Sequence, residues 1–321
     1  MAVLQATEPI TSANGIIAAA KKLAENDRVR MIAVAGAQDI AIVGALAEAN
    51  ADGILKATLF GDRDKINELA EKDKIDISKM DVVHETDAGK ATYGAVKMAA
   101  EGNADVVMKG FVSTSALLKA VLTKEFKLRV KNTLSHCAVL DIPGYHKLLS
   151  MTDGGMMVKP DRAQKIDILE NAVLVARALG IKPVKIALSG AVDKIYDSVA
   201  GSLECGELMK EFAERKPMDV EVQGPLTFDA ATSKTIATRK GLTGPVAGNA
   251  DVYISDTIEE CNIVAKTLIN FVDAVFSGVI VGARIPVSLV SRTDTMINKK
   301  SSVSIACLLA AYYDQLGGGE A

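Results

Sequence analysis

The sequence predicts an α/β protein built on mostly parallel sheets. Two observations carry this expectation. Short β-branched runs alternate with longer segments of helical period along nearly the whole chain, which is the pattern of βα units. The chain has 321 residues, and at roughly 100 to 200 residues per domain that length fits about two domains, each able to bury its own core.

The elements follow in order. Ser12 is placed to cap a helix running to Asn26, residues 30–35 read as a strand, 38–49 as a helix and 55–60 as a second strand, after which Gly61 and Asp62 open the next helix. The cycle repeats with a helix over 89–100, a strand over 105–108 and a helix over 115–122. Residues 125–135 break the rhythm. A second series starts near His136 and includes a long helix over 162–179, closed by Gly180 with Pro183 soon after, then a strand over 184–188. Residues 252–255 read as a strand, 258–272 as a helix, 279–281 and 287–290 as strands, and 302–313 as the last helix. The tail 317–321, with three consecutive glycines and no apolar anchor, is expected to be weakly ordered.

Composition excludes several roles. With 40 acidic against 37 basic side chains and a net charge of -3, no basic stripe is available to neutralise a phosphodiester backbone, so nucleic acid is not expected as a partner. Cys137, Cys205, Cys261 and Cys307 are scattered, without a CxxC pair, and His84, His136 and His146 lack metal-ligand spacing, so neither a metal site nor a disulfide framework is expected. The N-terminus lacks the basic start and apolar core of a signal peptide, so a cytoplasmic location is expected. The apolar stretch 271–290 is interrupted by Asp273 and Arg284 and divided by Gly278, Gly282 and Pro286, so it reads as two buried strands, not a membrane span. HExxH, Walker A, GxSxG and GxGxxG are all absent.

Three places hold residue types suited to chemistry. In Lys109-Gly110-Phe111-Val112-Ser113-Thr114-Ser115 a strand ends in glycine and hydroxyl residues lead into a helix, whose N-terminal N–H groups and dipole suit a phosphate; Lys119 lies one turn on. The same residues also suit a plain N-cap. Ser291-Arg292-Thr293-Asp294 follows a strand at the carboxyl edge of a sheet, where a hydroxyl, a guanidinium and a carboxylate offer oxyanion stabilisation, anion clamping and proton transfer. A solvated Arg292–Asp294 loop pair fits that spacing equally. Asp229, Asp256 and Asn262 follow other strands, where they serve either as cleft-lining groups or as ordinary helix caps.

Taken as an ordered set, these segments resemble the phosphate acetyl/butyryltransferase family. The set is Lys109-Gly110 with Ser113-Thr114-Ser115, LSHCAVLDIPGYHKLLSMTDGGMMVKPD (134–161), GPLTFDAA (224–231), ADVYISDTIEECNIVAK (250–266) and VGARIPVSLVSRTD (281–294). The Leu-Ser-His run at 134–136, HKLLSMTDGGM from His146 and Ser-Arg-Thr-Asp in place of the acetyl enzymes' Ser-Arg-Gly mark the butyryl-transferring branch.

The resemblance implies reversible transfer of a short-chain acyl group, butyryl or branched, between acyl-CoA and inorganic phosphate, by direct attack and without a cofactor. It implies two α/β/α domains of the isocitrate/isopropylmalate dehydrogenase-like kind, a site in the cleft between them, and a homodimer or higher homo-oligomer. The first domain is expected at 1–134 plus 281–321 and the second at 135–280. By resemblance Ser291 donates to the developing charge, Arg292 binds phosphate, and Ser113, Thr114, Ser115 and Lys119 complete the phosphate site, with Lys109, Asp229, Asp256 and Asn262 as further cleft or CoA contacts. Asn298 stands where the acetyl enzymes carry their carboxylate, leaving Asp294 as the candidate base. Lys119 stands where they carry an arginine, supplying charge without the bidentate fork. Competing expectations are a phosphate acetyltransferase, a decarboxylating hydroxyacid dehydrogenase of the same architecture, and a CoA-binding scaffold without turnover.

Overall fold

The computed structural model describes residues 8–215, 217–291 and 294–317. It divides into two compact units: Ala13–Lys131 with 276–317, and 8–12 with Asn132–Val275. The limits expected from the sequence, 134/135 and 280/281, lie a few residues further along the chain.

The first unit contains α1 (Ala13–Asn26), β1 (Arg30–Ala35), α2 (Ile40–Ala51), β2 (Leu55–Gly61), α3 (Arg63–Lys72), β3 (Asp81–His84), α4 (Ala88–Ala100), β4 (Val106–Lys109) and α5 (Thr114–Val121). The strand runs are mostly apolar and buried, with Lys56 of β2 exposed, except for the edge strand β3, whose exposed residues carry no alternation that would mark a strand in the sequence. Asp39, Asp62, Asp87 and Ser113 cap the helices that follow them, their side chains accepting first-turn N–H groups.

The second unit contains β5 (Ser135–Asp141), β6 (Leu149–Thr152), α6 (Arg162–Ala178), β7 (Val184–Ser189), α7 (Ala200–Glu214), β8 (Val220–Leu226), the short helices α8 (Phe228–Thr232) and α9 (Lys234–Arg239), β9 (Val252–Ile254) and α10 (Ile258–Phe271). Its strands run in the order β5-β6-β9-β7-β8, parallel except for the β5–β6 hairpin. Several elements here went unread in the sequence: β6, α7, β8, α8 and α9. Gly224 and Pro225 suggest a turn, yet both lie within β8, an edge strand, where proline's missing N–H leaves no gap in a ladder on the open side. The short strap 8–12 belongs to this unit because the Ile10 N–H donates to the Leu179 carbonyl at 3.0 Å.

The chain then completes the first unit with β10 (Val275–Val281), β11 (Val287–Ser288) and α11 (Met296–Gln315). The order in that unit is β3-β2-β1-β4-β11-β10, with only the β10–β11 pair antiparallel. The apolar stretch 271–290 is therefore two strands, and among the described residues no helix is long and apolar enough to cross a membrane. The break at 125–135 is a 3-10 turn, Lys124–Phe126, leading to a bridge between Arg129 and Ala283. The last helix begins at Met296 and not near residue 302, because Asn298, Lys299, Ser301 and Ser302, polar in the sequence, are buried in it. It is buried on nearly all sides against α1, α2 and the sheet. Residues 318–321 of the expected loose tail lie outside the described residues.

Candidate active site

In the first unit β2 and β3 lie to one side of β1 and β4 lies to the other, so the chain's progress through the sheet reverses between β1 and β4. Ligands of open α/β sheets gather at the carboxyl ends of strands at such a reversal. Here the two strand ends touch. The Gly110 N–H donates to the Ala35 carbonyl at 2.9 Å and the Phe111 N–H to the Gly36 carbonyl at 2.5 Å. A Cβ on Gly110 would stand 2.1 Å from the Gly36 oxygen and 2.6 Å from that of Ala35, so the approach requires glycine. Gly36 itself has a φ of +72°, which turns the chain sharply out of β1.

That contact aims the Lys109–Ser115 turn. Lys109 ends β4 buried, its ammonium donating to the Gly110 carbonyl at 3.4 Å. Ser113 is the N-cap of α5: its hydroxyl accepts the Ala116 N–H at 3.1 Å and lies 3.1 Å from the Ser115 hydroxyl. Thr114 and Ser115 form the first turn, whose N–H groups precede the intrahelical ladder. Lys119 is exposed four residues after Ser115, on the same helix face, and helical side chains lean back toward the N-terminus. The cap and the first-turn N–H groups of α5 thus belong to one structure.

β11 is the next strand along, parallel to β4 with Ser288 opposite Met108. The segment leaving β11 therefore emerges beside the turn leaving β4. There the Asp294 carboxylate accepts the Ser291 N–H at 2.6 Å, and the Asp294 N–H donates to the Ser291 carbonyl at 3.2 Å. Asp294 is buried, Ser291 partly so. Arg292, the expected phosphate ligand, lies outside the described residues. Asn298 faces inward as a structural group, its Oδ1 accepting the Phe276 N–H at 3.2 Å.

The second-unit candidates have separate partners. Asp229, in the first turn of α8, accepts the Thr227 hydroxyl at 2.5 Å and the Lys240 ammonium at 3.3 Å. Asp256 pairs with buried Lys165, which also donates to Glu204 at 2.8 Å. Burial works to lower the Lys165 pKa, but its bonds to those two carboxylates outweigh it and raise the value. Asn262 donates to the Gly154 carbonyl at 3.0 Å. Sequence reasoning gave no role to Asp153, although it belongs to the TDGGM run. Asp153 is buried and accepts the N–H groups of His136, Gly155 and Met156 at 2.9, 2.7 and 2.9 Å, so it organises the turn after β6.

A cysteine nucleophile has no support. All four thiols are buried, and burial pushes Cys137, Cys261 and Cys307 up to about 12 and Cys205 up to about 11.

Comparison with known proteins decides the family. The family model described as phosphate acetyl/butaryl transferase matches residues 83–307. The chain belongs to the phosphate acetyl/butaryl transferase family. Among relatives of this family member, the phosphate butyryltransferase of Clostridium acetobutylicum is 38% identical over 94% of this chain and 99% of its own. A phosphate acetyltransferase of Rhizobium meliloti is 32% identical over 84% of this chain and 85% of its own. The crystal structure of a branched-chain phosphotransacylase from Enterococcus faecalis V583 is similar at 30% identity with a TM-score of 0.78, covering 88% of this chain and 99% of that one. Membership extends over both carboxyl-edge turns of the first unit, since both fall within the matched residues.

Proposed function

We propose that this transferase-family protein moves a short-chain acyl group between acyl-CoA and inorganic phosphate, with four-carbon and branched acyl groups preferred over acetyl. The observation that carries the reading is the pairing of two turns suited to anions and oxyanions at the ends of the parallel neighbours β4 and β11. The greater identity to a butyryltransferase than to an acetyltransferase favours the longer acyl groups.

The chemistry balances without a covalent enzyme intermediate. A phosphate oxygen attacks the thioester carbonyl carbon, a C–O bond forms, and charge collects on the carbonyl oxygen. Collapse breaks the C–S bond, and the proton carried by hydrogen phosphate ends on the departing CoA sulfur. In this reading Ser291 donates to the developing charge. Arg292, Ser113, Thr114, Ser115 and Lys119 hold the phosphate through side chains and the free N–H groups of α5. Asp294 takes the thiol proton in the reverse direction. Lys109, Asp229, Asp256 and Asn262 stand as further contacts for the substrates. Neither metal nor nicotinamide takes part, and the working form is a cytoplasmic homodimer.

The test is phosphate-dependent release of CoA thiol from acetyl-, butyryl- and isobutyryl-CoA, with no metal or nicotinamide added. Release that peaks with the four-carbon esters supports the reading, and a peak with acetyl-CoA moves it to the acetyl branch. No phosphate-dependent release from any of the three overturns it. Because one methylene in a pocket is worth only about 1 to 3 kcal/mol, the preference is expected to be graded.

A further inference from the structure

The first half of α11 carries a run of buried polar side chains, Asn298, Lys299, Ser301, Ser302 and Ser304. Four of them have evident structural tasks. Asn298 holds the Phe276 N–H, Ser301 shares a hydrogen bond with Ser277 at 2.6 Å, Ser302 accepts the Gly278 N–H at 2.9 Å, and Ser304 donates to the Lys300 carbonyl at 2.8 Å. Lys299 is different. It has 0% exposure, and its ammonium donates to the main-chain carbonyl of Asp294, its single acceptor among the described residues. The adjacent Lys300 shows the ordinary arrangement, pairing with Asp52 at 2.7 Å and Glu48 at 3.5 Å near the surface.

An ammonium taken out of water loses far more than one neutral carbonyl returns, and an apolar side chain of similar volume would pack there without that loss. Packing therefore does not account for lysine at this position. What the ammonium grips is specific: the carbonyl belongs to Asp294, the residue whose carboxylate and N–H both bond to Ser291. A charged donor makes the stronger hydrogen bond, and a fixed positive charge behind the turn also favours an anion in front of it.

We infer that Lys299 is a positioning residue for acyl transfer: its buried ammonium pins the Ser291–Asp294 turn to α11 and so sets where the Ser291 hydroxyl meets the developing charge. The inference rests on the proposed role of Ser291 in that reaction. A donor displaced by a fraction of an ångström loses most of its effect on a transition state while still tolerating the bound substrate.

The experiment compares Lys299→Met with Ser301→Ala, which loosens the same helix without touching the turn. Lys299→Met is expected to lose about 10- to 100-fold in kcat with the KM for acyl-CoA held within about threefold, whereas Ser301→Ala keeps its kcat even where its Tm falls. The double variant Lys299→Met/Ser291→Ala is expected to lose little more than Ser291→Ala alone, because the pin acts by placing that hydroxyl. A Lys299→Met kcat within about twofold of the parent, or independent losses that multiply in the double variant, overturns the inference. If Lys299→Met does not fold, Lys299→Gln, a shorter and neutral donor, is read the same way. Hydrogen exchange at the Ser291 and Asp294 amides reads the pin without turnover: Lys299→Met or Lys299→Gln is expected to speed exchange there, and unchanged protection overturns it. A parent protein without phosphate-dependent thiol release would overturn the proposed reaction instead, while the exchange result would still decide the pin.

Discussion

The Oδ2 of Asp294 accepts the Ser291 N–H at 2.6 Å, so the carboxylate expected to act as a base is also the group that closes its own turn. The two roles separate chemically. Asparagine keeps an oxygen to accept the Ser291 N–H but cannot take up a proton. Asp294→Asn is therefore expected to fold normally, to slow the CoA-consuming direction by about 100-fold, and to flatten the dependence of that rate on pH. Measured across about pH 5 to 9 with acyl phosphate and CoA, a profile identical to the parent's would leave Asp294 as a turn closer only.

Gly110 and Gly201 predict opposite signs for one substitution. An alanine Cβ at 110 would meet two backbone oxygens at 2.1 and 2.6 Å, neither of which can rotate away. Gly110→Ala is expected to cost about 1 to 3 kcal/mol and to raise the KM for phosphate, because the turn that aims α5 must shift. Gly201 lies inside α7, and a Cβ added there would have nothing within 4 Å of it, so Gly201→Ala is expected to gain up to about 1 kcal/mol. Thermal melting of the two variants checks both signs.

The buried thiols make a third prediction. With values pushed up to about 11 or 12, about one thiol in a thousand or fewer is ionised at pH 8. The folded protein is expected to keep its activity through an iodoacetamide treatment that labels all four cysteines in denaturant, with labelling read by mass. Rapid inactivation accompanied by modification of one cysteine would reopen a thiol-dependent mechanism.

How much was legible follows from where the side chains went. β1 is readable to the residue because RMIAVA is an apolar run and is buried almost throughout. α11 is readable only in its second half. Its first half hides polar side chains that bond to the backbone of β10, and a sequence does not distinguish a buried Asn298 or Lys299 from a solvated one. β3 and β8 are edge strands with weak or interrupted patterns, so little hydrophobic signal marks them. At the candidate site, the motif around Ser113 suits both a cap and an anion-binding turn, and the cap is what the structure shows. The closeness of Gly110 to Gly36 depends on β1 and β4 being neighbours, which local spacing cannot reveal. Asp153 and Lys165 were invisible for the same reason: each matters through partners brought to it by other strands and helices.

A fourth prediction concerns the Asp193 cluster in the second unit. The Asp193 carboxylate accepts the Thr227 N–H at 2.8 Å and the Lys240 ammonium at 2.7 Å. Partial burial works to raise its pKa, but the bonds from Lys240 and Thr227 outweigh it and hold the carboxyl below its ordinary value. A folded-state pKa below the unfolded value of about 3.9 means stabilisation present above that pH and lost as pH falls through the folded value. Asp193→Asn is therefore expected to lower the Tm by a few degrees at pH 7, with the deficit shrinking steadily below about pH 4. Lys240→Met removes the same partner and is expected to show the same closing gap in acid. A Tm deficit that stays constant from about pH 7 to pH 2.5 would mean that Asp193 stabilises through packing and neutral hydrogen bonds, not through its charge.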